Sequence, residues 1–327
     1  MKWSFADIWN NSLDIGRPER KLEERDYIWA SELGGSMIDR YLKMKAVKPS
    51  NPHNKRSKRK FEAGNMWEFV VRLVLLRAGI LKSAQHRVEY QYEGLLRVSG
   101  KMDFLAGGKP DYDKAKNELD ILEELGLPEF FITTTEKIID HFKQEYPDGL
   151  PEIPIEVKSC STFMFDKYFE SGCANPNHIL QLFHYEKGDR YNEGHIVYVC
   201  RDDARLLEIP VFNPSPIEDV YKKDIETLTK YIKEGVQPPL EKLVVFDKEF
   251  QKFSANWKVG YSQYLTMLYG FKNTLQFQNA FKSKIGRWNR VIGRIKKGDN
   301  MTKNNIEAIE EMKKDGFDIN NLLNEKK

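Results

Sequence analysis

Apolar residues recur along this chain with two periods, one helical and one strand-like, and the elements alternate. The stretch 64–78 (GNMWEFVVRLVLLRA) is apolar on nearly every side, interrupted by Glu68, Arg72 and Arg77. It predicts a helix buried all round. Strand patterns follow at 87–93 and 95–105, the second with a kink near Ser99-Gly100, and another lies at 153–160. Between them, 109–150 reads as an insertion with helices over 112–125 and 133–146. A helix over 177–187 starts behind Pro176. Strands at 195–200 and 205–212 form a hairpin across Asp202-Asp203, and Asn213-Pro214-Ser215-Pro216 opens a long amphipathic helix to Lys233. Upstream, Ser31 reads as the N-cap of a helix and the Pro/Asn/Lys-rich stretch 45–60 as a loop. The remainder is helical in composition, with a polar tail from Met301.

Strands interleaved with helices predict an α/β fold: a mixed central sheet flanked by helices. At 327 residues, one such core with helical additions fits, and 40% hydrophobic with 12% aromatic residues can fill it. Cys160, Cys173 and Cys200 are too few and too scattered for a disulfide framework, which points to a reducing cytoplasm. No signal peptide is visible: Trp3, Phe5, Ile8 and Trp9 are separated by polar residues. The longest apolar run, within 69–81, is broken by Arg72 and Arg77 and is too short for a bilayer, so no membrane partner is expected. Cys173 and His178 offer two ligands where a zinc site needs four.

Net charge is only +3, but it is segregated. Residues 43–60 carry eight Lys or Arg and no acid, among them Lys55, Arg56, Lys58, Arg59 and Lys60. Residues 282–297 carry seven more, including Arg287 and Arg290, with Trp288 interleaved. Residues 111–152 hold twelve acids against four Lys. Segregation of this kind suits a polyanionic partner such as DNA, and it equally suits solvated faces.

Four pieces carry candidate chemistry. In the strand IPIEVKS, Glu156 and Lys158 share one face while Ile155 and Val157 point to the core. A carboxylate and an ammonium in an apolar strand are costly unless paired or metal-bound. In SGKMDFL, Asp103 opposes Met102 and Phe104 across the strand. Two carboxylates on neighbouring strands can hold Mg²⁺. A structural Asp103–Lys158 ion pair is the alternative. In QLFHY, Gln181 and Tyr185 lie one helical turn apart, with His178 and His184 bordering them. Glu68 is a carboxylate in an apolar helix, and an i,i+4 salt bridge to Arg72 would account for it equally well.

The order helix carboxylate, strand Asp, strand E-x-K, helix Q-x-x-x-Y resembles the RecB-like branch of the PD-(D/E)XK nuclease superfamily, with its phage and CRISPR-associated exonucleases. The stretches carrying the resemblance are SELGGSMIDRYL, FEAGNMWEFVVRLVLLRAGIL, LLRVSGKMDFL, PIEVKS and ILQLFHY, and less specifically GVQPP and NWKVGYSQY. It implies a restriction-endonuclease-like core over 1–275, with 109–150 inserted as an acidic helical excursion beside the cleft, and a basic, polar helical extension over 276–327. It implies a DNA nuclease using Mg²⁺ or Mn²⁺, an exonuclease in repair, recombination or foreign-DNA processing. Asp103 and Glu156 would be metal ligands, the Val157 carbonyl a third contact, and Lys158 the residue that orients or deprotonates water. Gln181 and Tyr185 would position DNA and the site, and Glu68, standing where relatives usually carry His, would be a further metal ligand, harder than imidazole and favouring Mg²⁺. A structure-selective endonuclease, an RNA nuclease, a silent nucleic-acid-binding module and a subunit of a helicase–nuclease assembly remain alternatives. The chain has no GxxxxGK[ST] motif, so a helicase or recombination partner would be a separate protein. Many relatives hold an iron–sulfur cluster on four cysteines; GGSMIDR and NWKVGYSQYLTMLYG, the matching neighbourhoods, contain none. No such cluster is expected, and closure there would fall to Trp257, Tyr261, Tyr264 and Tyr269.

Overall fold

The computed structural model describes residues 4, 8–9, 11–13, 21–126, 128–212, 215–247 and 251–319. The chain divides into two compact units. The first comprises Met1–Gly35, Met44–Ala46 and His53–Val236, and the second Ser36–Lys43, Val47–Pro52 and Gln237–Lys327.

The first unit is a mixed sheet between helical layers, as the alternating pattern predicts. Its strands are β1 (Tyr27–Trp29), β2 (Leu81–Tyr90), β3 (Arg97–Gly108), β4 (Leu150–Cys160), β5 (Glu193–Cys200) and β6 (Leu206–Phe212). The order is β1-β3-β4-β5-β6, with β2 also paired to β3. β4 runs antiparallel to β3 from Leu150 to Ile155, then leaves it and continues parallel to β5 as far as Cys160. β1 meets β3 only at Arg97 to Ser99. A fork therefore opens beside residues 100–103 of β3 and the second half of β4. The expected kink at Ser99-Gly100 is absent: pairing with β2 is regular there, and the irregularities fall at Leu81/Ser83 and Ala106/Gly108.

The first-unit helices are α2 (Lys55–Arg77), α3 (Tyr112–Glu124), α4 (Phe130–Thr133), α5 (Thr135–Glu145), α6 (Thr162–Ser171), α7 (Pro176–Asp189) and α8 (Ser215–Glu234); α1 (Met37–Met44) belongs mainly to the second unit. Val157 and Val197 face α2, in a cluster with Leu76, Leu81, Phe104 and Ile155. On the other face, Lys158 and Tyr198 meet Gln181 and His178 of α7.

Several local readings change. The loop expected over 45–60 gives way to α2 at Lys55, because Asn54 caps it, accepting from the Ser57 N–H at 2.9 Å. That helix is not buried all round: Leu73 and Leu76 are buried, whereas Met66 (61% exposed), Val70 and Val74 (59%) form an outward stripe. Ser31 lies inside a short 3₁₀ turn, Ala30–Glu32, and Ser36 instead sits before α1 with its Oγ 3.4 Å from the Asp39 N–H. α6 is an addition, placed directly after the E-x-K strand. Asn213 and Pro214 lie outside the described residues.

The acidic insertion is helical, but it is built into the core. Ala115, Leu119 and Ile139 are buried, Leu122 packs on the Leu76–Phe104 cluster, and Arg72 of α2 pairs with Glu118 at 3.1 Å. Its removal would uncover part of α2.

In the second unit the uniformly helical expectation fails first at a hairpin, β7 (Val244–Asp247) with β8 (Lys252–Ala255). α9 (Trp257–Gly260), α10 (Leu265–Tyr269), α11 (Thr274–Lys297) and α12 (Lys303–Lys314) follow. The tail thus contributes a helix, because Ala308 and Met312 pack with Phe253, Val291 and Trp288. Trp288 is fully buried and serves the core. α1 is tied to the α9–α10 segment by Asp39, which accepts from Ser262 Oγ at 2.8 Å and the Gln263 N–H at 3.3 Å. Of the four aromatics expected to close this region, Tyr264 is buried and donates to the Val47 carbonyl, and the Tyr269 hydroxyl accepts from the Glu241 N–H. Trp257 and Tyr261 are exposed.

Candidate active site

The fork between β3 and β4 gathers the polar residues singled out by the sequence. Asp103 stands where the β3–β4 ladder has ended, and its Oδ2 accepts the Val157 backbone N–H at 2.8 Å. The carboxylate replaces a ladder carbonyl, which keeps that N–H satisfied. Val157 thus meets Asp103 through its amide.

Glu156 is 1% exposed. Its Oε1 accepts from Lys158 Nζ, while its Oε2 finds no hydrogen-bond partner among the described residues. Lys158 Nζ also donates to Gln181 Oε1 at 3.2 Å. Gln181 Nε2 donates to the Tyr185 hydroxyl at 3.0 Å, which donates to the Lys101 carbonyl at 2.9 Å. This chain of bonds runs from β4 through α7 back to β3, fixing the Lys158 ammonium. Gln181 and Tyr185 are buried, at 7% and 1% exposure, so they act through Lys158. Gly100 makes room for them: a Cβ there would lie 2.8 Å from Tyr185 Cε1 and 2.6 Å from the Ala30 Cβ.

Neither modest alternative is realised. Lys158 pairs with Glu156, not Asp103, and Arg72 pairs with Glu118, not Glu68. Glu68 instead accepts from Gln85 Nε2 at 2.6 Å, and the same nitrogen lies 3.5 Å from Asp103 Oδ1. Sequence reading missed Gln85, a polar residue in an ordinary-looking strand. It lines a cleft of about 310 Å³ with Asn65, Glu68, Phe69, Arg72, Ala84 and Phe104.

Charge follows from this geometry. Burial, then the neighbouring Glu156, raises the Asp103 carboxyl well above its ordinary range, with Glu68 adding to the rise. Burial likewise raises Glu156, against the pull of Lys158. Burial alone would lower Lys158, but the carboxylates of Glu156, Asp103 and Glu68 outweigh it, so the ammonium stays charged. His178 is pushed down to about 3 by burial and by Lys158, and His184 to about 4 by burial. Both are neutral and structural: His178 Nδ1 meets the Tyr198 hydroxyl at 2.9 Å, and His184 Nδ1 meets that of Tyr221 at 2.9 Å.

Three carboxylates face one ammonium, and Glu156 Oε2 has no partner among the described residues. Such a set fits a hard divalent cation held by Asp103 and Glu156. Among the described residues no three His, Cys, Asp or Glu side chains are placed together to hold an ion. Two protein carboxylates match Mg²⁺, which keeps several of its waters.

The basic residues are distributed over both units. Lys55, Arg56, Lys58, Arg59 and Lys60 occupy the first turns of α2, the helix that carries Glu68. Lys60 and Glu68 are eight residues apart, about 12 Å along the axis. Cations at a helix N-terminus oppose the helix dipole, and α2 has no acid in its first turn to offset them. In the second unit Arg290 is exposed, whereas Arg287 forms an ion pair with Glu311. No described helix is long and apolar enough to cross a membrane.

No family model matches the sequence, and no curated protein matches it. Solved structures do resemble it. SSO0001 shares 12% identity at a TM-score of 0.42, over 80% of this chain and 93% of that one. The alkaline exonuclease LHK-Exo from Laribacter hongkongensis shares 9% at 0.38, over 70% and 93%. LHK-Exo in complex with dAMP shares 8% at 0.39, over 64% and 89%. Likenesses at this level decide neither family nor activity.

Proposed function

We propose that this protein is a metal-dependent nuclease that hydrolyses DNA phosphodiester bonds, with Mg²⁺ or Mn²⁺ held by Asp103 and Glu156. One observation carries the reading: a buried carboxylate, Glu156, with one oxygen unpartnered among the described residues, is bound to a fixed lysine and lies across a strand fork from a second, half-buried carboxylate, Asp103. A buried carboxylate oxygen without a partner is costly, and a cation beside Glu156 and Asp103 would satisfy it.

A divalent ion held by Asp103 and Glu156 would neutralise the phosphate and lower the pKa of bound water. The protein's part is positioning. Asp103 is held by the Val157 N–H, which fixes the carboxylate at the fork. Lys158, kept cationic by its three acidic neighbours, is an electrostatic clamp for the phosphate and its developing charge. Gln181 and Tyr185 hold that ammonium in place through the Lys101 carbonyl. The α2 cations offer contacts to the nucleic-acid backbone.

The finer reading is an exonuclease acting at DNA ends. Metal-free protein supplied with Mg²⁺ or Mn²⁺ should degrade linear DNA and leave covalently closed circles intact. Cutting of circles would make it an endonuclease, cutting of RNA alone an RNA nuclease, and no cutting with either ion a binding module.

A further inference from the structure

Gln85 combines three unusual features. It lies within β2 but has φ +53°, in the left-handed region. There its Cβ crowds the following carbonyl, so the conformation persists only where the surroundings impose it. The ladder pairs Ala84 with Phe104 and His86 with Met102, leaving Gln85 out. Its amide nitrogen donates to Glu68 Oε1 at 2.6 Å and reaches Asp103 Oδ1 at 3.5 Å. It is also exposed, on the wall of the cleft.

Glu68 is thereby tethered. It is near enough for its charge to act on Asp103, Glu156 and Lys158. Yet no three acidic or imidazole side chains among the described residues are grouped for one ion. The residue that occupies Glu68 is Gln85.

We propose that Gln85 is a positioning residue that sets metal choice: its amide holds Glu68 outside the ligating pair, so the site presents two carboxylates and not three. This rests on the metal-dependent reading above and adds selectivity to it. Two carboxylates suit Mg²⁺, a small ion that retains water. A third would favour Ca²⁺, which takes six to eight oxygens and tolerates irregular geometry. Releasing Glu68 should therefore move the site toward Ca²⁺.

The test is calorimetric titration of the full-length, metal-free protein with MgCl₂ and with CaCl₂, without DNA. Gln85→Gly removes the amide while glycine adopts positive φ without strain. Gln85→Asn keeps an amide on a shorter stem and also tolerates that backbone. In Gln85→Gly the ratio of Ca²⁺ to Mg²⁺ affinity should rise by about 10-fold, since affinity follows ligand charge count. Gln85→Asn should fall between it and the wild type, and Glu68→Gln added to Gln85→Gly should cancel the gain. A ratio unchanged in Gln85→Gly, or a gain that survives loss of Glu68, overturns the proposal. If Gln85→Gly fails to fold, Gln85→Asn and its Glu68→Gln double variant decide by the same ratios. Saturable binding with unchanged selectivity sinks the role of Gln85 alone; no saturable binding in any protein sinks the metal site with it.

Discussion

Val157 donates its backbone N–H to Asp103 Oδ2 at 2.8 Å, just beyond the last β3–β4 ladder pair, Phe104 with Ile155. A side chain thus completes the sheet where the backbone has withdrawn, so Asp103 has a structural task beside its proposed chemical one. The two separate on substitution. Asp103→Asn keeps an oxygen for Val157 and removes a carboxyl that burial and Glu156 disfavour. It should fold with a melting temperature at or above wild type and lose cleavage on the order of 10³-fold. Asp103→Ala should lose cleavage equally and also melt lower, because it leaves the N–H unpaired, a cost of about 1–3 kcal/mol. Calorimetric melts beside a DNA-cleavage assay check both; wild-type cutting by either variant would remove Asp103 from the site.

Tyr185 and Gly100 should behave as one device. Tyr185→Phe removes the donor to the Lys101 carbonyl and the acceptor for Gln181. About 1–3 kcal/mol of stability should go, with a drop in kcat larger than any change in KM. Gly100→Ala drives a methyl into the Tyr185 ring and Ala30, and overpacking of that kind costs about 1–3 kcal/mol or more. Combining the two should cost less than their sum. Strict additivity in a double-mutant cycle would show that Gly100 serves the backbone alone.

For the basic start of α2, two effects of opposite sign are expected. Lys55, Arg56 and Lys60 are exposed and sit at the positive end of the helix. Changing all three to Gln should raise the melting temperature slightly by relieving the dipole. It should also weaken DNA binding and flatten its salt slope by about 2–3. Arg287→Ala serves as a contrast. Its ion pair with Glu311, whose Oε2 also accepts from Trp288 Nε1 at 3.0 Å, is part of the second unit's packing. That variant should lose stability and leave the slope alone. The opposite pattern would move the DNA contacts to α11.

Much of the site was legible because its pieces are local. An E-x-K in an apolar strand and a Gln and Tyr one turn apart keep their relationship in any fold that keeps those elements. Gln85 was not legible: its part depends on a positive φ that QHRVEY does not announce, and on two partners distant in sequence. The α2 start was hidden by Pro and Asn residues that read as loop, although Asn54 is the cap that begins the helix. The insertion's charge concealed Leu119 and Ile139, which bind it to the core. The β7–β8 hairpin is short, and its partner, Trp288, looked like a nucleic-acid contact until packing placed it against Phe253.

Glu186 gives a pH signature unconnected with the metal. It is fully buried on α7, neither carboxyl oxygen has a hydrogen-bond partner among the described residues, and burial, with Glu193 nearby, pushes it up to about 8. The folded protein therefore binds a proton that the unfolded chain releases near the ordinary glutamate range. Stability falls as pH rises between those two values, since the folded state binds more protons there, and levels off above about 8. Glu186→Gln cannot ionise, so its melting temperature should change less between pH 5 and pH 8, a window of about three units. An identical pH slope in the two proteins would show that Glu186 already ionises in the fold.

Single-turnover cleavage of end-labelled DNA by Glu156→Gln tests the proposed hydrolysis of phosphodiester bonds by Glu156 and its neighbours most directly. The amide keeps the shape and an oxygen for Lys158 while removing the charge that would hold a divalent ion. With Mg²⁺ or Mn²⁺ at saturation, wild-type protein should cut and Glu156→Gln should bind the same DNA without cutting it. Equal cleavage by the two proteins, or none by the wild type with either ion, would contradict the account.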